Sequence, residues 1–209
     1  MTRITGLAAL AMAGALGAAA CAQVPAKTPS APPQLAGQTA KQLTYELIKA
    51  KGETPLSVSS TSFSPGGKIP SANTAYGDNR SPQLSWSGAP DGVTSYLVIL
   101  EDPDVGPKKP FTHWIIGNLP PTTTSLPEGL TTSPPGAFQT GARGDSYFGP
   151  RPPAGSGVHN YTFEVFALDT KLDLKDGAKL AEVQGAMTEH VLASGVMQAT
   201  SQAPGEGGG

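Results

Sequence analysis

Tyr161-Thr-Phe-Glu-Val-Phe-Ala-Leu168 is the stretch on which the fold turns. Tyr161, Phe163, Val165 and Ala167 alternate with Thr162, Glu164, Phe166 and Leu168, and both sets are partly apolar. Successive side chains of a strand point to opposite faces. A strand with apolar residues on both faces is packed on both, so this segment predicts a central strand. Outward from it, Ser95–Leu100 (SYLVIL) and Thr112–Leu119 (THWIIGNL) are further β-branched and aromatic runs. Leu84-Ser-Trp86 is a shorter one, and Leu56–Phe63 alternates weakly before the Pro65-Gly66-Gly67 turn. Pro/Gly turns separate these runs. Gly185–Ser194 (GAMTEHVLAS) changes to a helical period, with Met187, Val191 and Leu192 on one stripe. The expectation is a mainly β, sandwich-like or Greek-key body with a C-terminal helix, in which Trp86 and Trp114 are core anchors.

The length of 209 residues suits one domain. Hydrophobic residues are 38% and charged residues 14%, because 26 Gly and 21 Pro fill loops and tails. A net charge of -2 argues against nucleic-acid binding, which needs a basic face, and no large polybasic membrane patch is present. The single cysteine, Cys21, excludes an internal disulfide and a cysteine-rich zinc site.

The first twenty residues read as an address. Arg3 is a short positive region, and Ile4–Ala20 is uncharged and too short for a stable span. Ala18-Ala19-Ala20-Cys21 resembles a bacterial lipobox, which implies a signal peptide over 1–20 and a lipid (palmitate among its chains) on Cys21. Ala18 departs from the usual Leu, so cleavage by ordinary signal peptidase and release as a soluble periplasmic or secreted protein is the alternative. A buried alanine-rich helix is a poorer reading, since no polar residues make an amphipathic face. With Ala22 rather than Asp after the cysteine, the same resemblance implies retention at the outer membrane, facing the periplasm. Residues 22–37 are Pro-, Ala- and Ser-rich and cannot build a core. Gln38–Ala50 reads as a short helix or as more of the same tether. The expected map is therefore a signal peptide (1–20), a lipidated cysteine and flexible tether (21–53), a folded domain (54–200) and a disordered tail (201–209).

Three segments carry candidate chemistry. Glu101-Asp102-Pro103-Asp104 ends an apolar strand, and Pro103 stiffens the turn. Read alone, an Asp-Pro pair is most often a capped surface turn. His113-Trp114 lies on the next strand, where a lone His is more often a core polar residue. The long loop from Gly141 to Tyr161 is rich in Pro and Gly, and its glycines let backbone N–H groups approach a ligand. It delivers His159 and Tyr161 to one face of the strand that follows.

Together these segments resemble the phosphatidylethanolamine-binding protein family, in its bacterial Raf-kinase-inhibitor-like branch. The resemblance runs from about Leu56 to Gln198. It includes Gly67-Lys-Ile-Pro70, Asn79-Arg-Ser-Pro82-Gln-Leu-Ser-Trp86, Asp102-Pro-Asp104, His113-Trp114, Asn118-Leu-Pro120, Tyr147-x-Gly149-Pro150, Pro152-Pro153, Gly157-x-His159-x-Tyr161, Ala167-Leu-Asp169, Ala186-Met187 and His190-Val-Leu-Ala193. It implies one loop-built pocket for phosphate-bearing groups, lined by Asp102, Asp104, His113, Tyr147, Gly149, His159 and Tyr161. Gly106 displaces the usual proline to Pro107, and Arg151 adds a charge at the mouth.

Imidazoles and phenols can donate to phosphate oxygens. The two carboxylates would repel a dianion unless they hold the imidazoles protonated, or unless they accept bonds from an ammonium such as ethanolamine. The expected function is non-enzymatic binding of a phosphate-bearing small molecule or phospholipid headgroup, with no cofactor and no metal. An inhibitor or signalling module with a protein partner, such as a protease or kinase, is the alternative; an exported body is out of reach of a cytoplasmic kinase. Gly144-Asp145-Ser146 mimics a lipolytic serine motif without a nucleophile elbow. His113, His159 and an aspartate are chemically able to hold iron or zinc. His190, beside Glu189, reads as a surface or cap residue of the late helix.

Overall fold

The β-branched and aromatic run of β3 (Ser95–Asp102) is buried at all eight positions. It pairs on one side with β4 (Phe111–Leu119) and on the other with β7 (His159–Leu168), the segment read above as a central strand. The computed structural model describes residues 42–106, 109–144 and 146–205. Cys21 and the segment 1–20 lie outside the described residues.

In chain order the elements are α1 (Thr44–Leu47), β1 (Ser57–Ser59), β2 (Leu84–Ser87), β3, β4, β5 (Ser125–Leu126), β6 (Phe138–Gly141), β7, α2 (Leu180–Met187) and β8 (Val191–Ser201). An antiparallel sheet of order β6-β4-β3-β7-β8 faces a small sheet of order β1-β2-β5. Period two sorts the strand residues between two cores. Val98, Leu100, Trp114, Ile116, Tyr161, Phe163 and Val165 pack with Leu84, Trp86 and Leu126 of the small sheet. Leu97, Ile99, Ile115, Phe166 and Leu168 pack with Ile48 beside α1 and Val183 and Met187 of α2.

Three expected boundaries move. The late helix covers Leu180–Met187, ahead of the expected Gly185–Ser194, and residues from Val191 onward form β8. Burial in β8 alternates along its length, with Val191, Ala193, Met197 and Ala199 inward. Small Ala, Gly and Ser at five of its eleven positions left that alternation faint in hydropathy. His190 thus sits in the turn after α2, where its Nδ1 lies 2.7 Å from Asp169. Within the span 21–53 expected as a tether, the described residues Leu43, Thr44 and Ile48 are buried. Within the span 201–209 expected as a tail, Ser201 closes β8 and Ala203 is buried.

The anchor of the N-terminal segment is a pair of buried carboxyls. Glu101 accepts the Thr44 N–H at 2.8 Å, and Glu164 accepts the Tyr45 N–H at 2.8 Å. Residues 51–69 then run along the outer edge of β8. Lys51, Gly52, Leu56, Gly66 and Ile69 donate to carbonyls of Val191, Leu192, Ser194, Gln198 and Thr200.

Candidate functional site

Asp102 ends β3 on the same face as Val98 and Leu100, as alternation requires. His113 reaches that face by a different route. The ladder pairs Leu100 with Trp114 and Glu101 with Thr112, so His113 is the extra residue of a β-bulge. A bulge lets two successive side chains share a face. Trp114 therefore fills the core while His113 meets Tyr161 edge-on, ring centroids 5.3 Å apart.

These residues open on a cavity of about 170 Å³ lined by Asp102, Val105, Phe111, His113, Arg143, Phe148, Arg151, Pro153 and Tyr161. Pockets for drug-sized ligands run from about 300 Å³ upward, so this one suits a headgroup-sized molecule. Phe148 stacks on His113 at 5.7 Å with the planes 7° apart, and Phe111 meets His113 edge-on at 4.8 Å. The Arg143 guanidinium covers the Phe148 ring at 5.0 Å.

Hydrogen bonds set the polarity of the floor. His159 Nδ1 lies 2.8 Å from Asp102 Oδ2, and the Asp104 N–H donates to Asp102 Oδ1 at 2.8 Å. His113 Nδ1 is 3.0 Å from the Phe148 carbonyl. A carbonyl only accepts, so Nδ1 carries the proton and Nε2 of the neutral ring presents a lone pair. His113 Nε2 and the Tyr161 hydroxyl are buried without a partner. Burial lowers the His113 pKa more than the neighbouring Phe148 carbonyl and Asp102 raise it. Desolvation outweighs the carboxylate at His113, which goes against the alternative in which the carboxylates hold the imidazoles protonated. Burial, with Asp102 close by, also pushes the Tyr161 phenol far up, so it stays protonated.

Of the seven expected lining residues, the structure brings Asp102, His113 and Tyr161 together in the cavity wall. His159 stands behind Asp102 as its partner. Asp104, half-buried, accepts both the backbone N–H and the side-chain amide of Asn160, at 2.8 and 2.9 Å. Tyr147 turns away: its hydroxyl donates to the Asn73 carbonyl at 2.8 Å, and its ring packs on Trp114. The Gly149 N–H donates to Asn79 Oδ1, and a methyl there would sit 2.6 Å from the Asn73 carbonyl oxygen. Glycine is needed for that close approach, and its N–H is not offered to a ligand. Among the described residues no group of three His, Cys, Asp or Glu side chains is set to hold a metal.

Asn79 is a residue that local chemistry did not single out. Its amide donates to the Tyr147 carbonyl while its Oδ1 accepts the Gly149 N–H, at 3.1 and 2.8 Å. It thereby brackets Phe148 and fixes the carbonyl that orients His113. Phe111, Arg143 and Phe148 were also missed, since only the fold brings them to one cavity.

Residues 59–202 match the family model described as phosphatidylethanolamine-binding protein. The chain belongs to the phosphatidylethanolamine-binding protein family. It is 46% identical to a UPF0098 protein of Methanothermobacter thermautotrophicus over 62% of this chain and 87% of that one. It is 35% identical to LppC, named as a candidate lipoprotein of Mycobacterium tuberculosis, over 70% of this chain and 71% of the relative. Among solved structures, Escherichia coli YbcL, described as a new member of the mammalian family, aligns with a TM-score of 0.67 and 28% identity, covering 72% of this chain and 99% of that one. In this family member the cavity wall combines a buried carboxylate, a neutral imidazole and a phenol with two exposed arginines at the mouth.

Proposed function

We propose that the chain is a non-enzymatic binding protein whose cavity at Asp102, His113 and Tyr161 takes a phosphate-bearing small molecule or phospholipid headgroup. One observation carries this reading: two buried polar atoms, His113 Nε2 and the Tyr161 hydroxyl, face a cavity with no partner. Most buried polar atoms are paired, and an exception calls for an explanation. A ligand that completes both bonds supplies one.

Calorimetric titration with inorganic phosphate and O-phosphoethanolamine tests the reading. His113→Ala weakens binding of the better probe by about tenfold or more. His159→Ala also weakens it, through Asp102. That variant removes one of the hydrogen-bond partners of a buried carboxylate, costing on the order of 1–3 kcal/mol of stability, so its melting transition is recorded alongside. Unchanged isotherms in both folded variants would sink the assignment.

The same proposal places the domain outside the cytoplasm, lipid-anchored at Cys21 to the cell envelope. The lipobox-like Ala18-Ala19-Ala20-Cys21 and the similarity to LppC support it.

A further inference from the structure

Glu101 and Glu164 are buried on the face of the large sheet that looks away from the cavity. The β3–β7 ladder sets Glu101 opposite Thr162 and Glu164 opposite Ile99, so the two carboxyls are diagonal neighbours on that face. Each accepts a backbone N–H of the N-terminal segment, Thr44 on Glu101 Oε2 and Tyr45 on Glu164 Oε2. Glu164 Oε1 is buried and receives no N–H or hydroxyl from the rest of the protein. Glu101 lies beside it, and the two carboxyls hydrogen-bond each other. Ionised carboxylates only accept, so this bond requires a proton on one of them. Carried by Glu164 Oε1, that proton gives the orphaned atom its partner. The surrounding groups bring no positive charge to replace it. Glu46, on the N-terminal segment, adds negative charge to both carboxyls, Tyr45 is a neutral phenol, and Gln184 of α2 donates to the Thr44 hydroxyl.

We infer that Glu101 and Glu164 share one proton that clasps residues 43–48 onto the large sheet, and that rising pH releases this segment while the rest of the domain stays folded. With the segment in place the pair is kept from water; with the segment lifted both carboxyls are hydrated and ionise in the ordinary range. The docked state therefore binds one proton more than the released state. Docking is complete below the ordinary value of 4.5 and weakens by about tenfold per pH unit above it, until the docked pair itself loses the proton. Release uncovers the apolar surface on which Tyr45, Leu47 and Ile48 pack. The clasp is independent of any ligand of the cavity, which opens on the other face.

Amide hydrogen exchange of the full chain between about pH 5 and pH 8, corrected for the intrinsic rise of exchange with pH, reads the clasp directly. Protection of the Thr44 and Tyr45 amides is expected to lie below that of Val98 and Val165 in the central strands and to fall by about three- to tenfold per pH unit. In Glu164→Gln the side-chain amide donates to Glu101 as the protonated carboxyl does, so protection of the same two amides is expected to change by less than about twofold across the range. Infrared spectroscopy at about pH 6, where ordinary carboxyls are ionised, is expected to show a protonated carboxyl in the unmodified chain. Protection of Thr44 and Tyr45 that does not change with pH overturns the inference. So does protection equal to that of the central strands at every pH, because the segment then leaves only when the whole domain unfolds. A spectrum without a protonated carboxyl removes the shared proton, and this reading needs no folded variant.

Discussion

Burial and charge oppose each other at His113, and burial prevails. Its folded pKa lies below the ordinary value of 6.5. The unfolded chain then binds more protons than the folded one across the interval between the two values, so stability rises with pH there. The contribution is complete above pH 6.5 and is lost as pH falls through the folded value. An NMR titration of the ring is expected to give a midpoint below 6.5, and a midpoint at or above 6.5 contradicts the neutral floor. The residues Asp102, His113 and Tyr161 were legible from the order of their motifs. The route of His113 to the cavity was not. Strict alternation from Trp114 would have sent it to the opposite face, and the bulge that corrects this is a property of the β3–β4 register. Tyr147 was misplaced for a related reason. A tyrosine in a pocket-forming loop has a ring and a hydroxyl, and here the ring joined the core beside Trp114 while Asn73 took the hydroxyl.

At the scale of elements, α1 is too short to hold itself on the sheet, since isolated helices need roughly a dozen residues to persist. Two carboxyls do it instead, one from β3 and one from β7. Burial raises the pKa of both Glu101 and Glu164 above the ordinary 4.5; the Glu101 carboxyl raises Glu164 further by charge and hydrogen bonding, while the hydrogen bond from Glu164 offsets part of the rise at Glu101. Raised values in the fold mean that it binds more protons than the unfolded chain above pH 4.5, so stability falls as pH rises through the folded values. Glu164→Gln keeps the acceptor for Tyr45 and removes one charge. It is expected to flatten this fall and to raise stability at pH 8. Parallel denaturation profiles for the two proteins between pH 5 and pH 8 would refute it. The central strand was readable because its apolar residues are large on both faces. Strand β8 was not, because Ala193, Ser194 and Gly195 carry its pattern on side chains too small to mark it. Gly195 is small for a reason found only in the fold: a methyl there would run into the Leu56 carbonyl oxygen.

For the whole molecule, the folded unit begins before the composition of the chain suggests. Leu43 and Ile48 are 4% exposed, and burying two such side chains contributes about 3–6 kcal/mol. A chain started at Thr54 is expected to unfold at a clearly lower denaturant concentration than one started at Gln42, while still binding O-phosphoethanolamine at low temperature. Equal midpoints would show that residues 42–53 add nothing to the fold. The cavity tolerates this loss because its walls come from strand ends and loops on the other face of the sheet.

The course of residues 51–69 along β8 has a further result. At eleven residues β8 is the longest strand among the described residues, and it lies at a sheet margin. A margin of that length with free backbone groups is a template on which another chain can add a strand, the first step of aggregation. Here the same molecule occupies the template, with five of its own N–H groups bonded to β8 carbonyls. The segment that links the N-terminal region to the domain therefore also acts as a guard against self-association, which matters most for copies crowded at high local concentration.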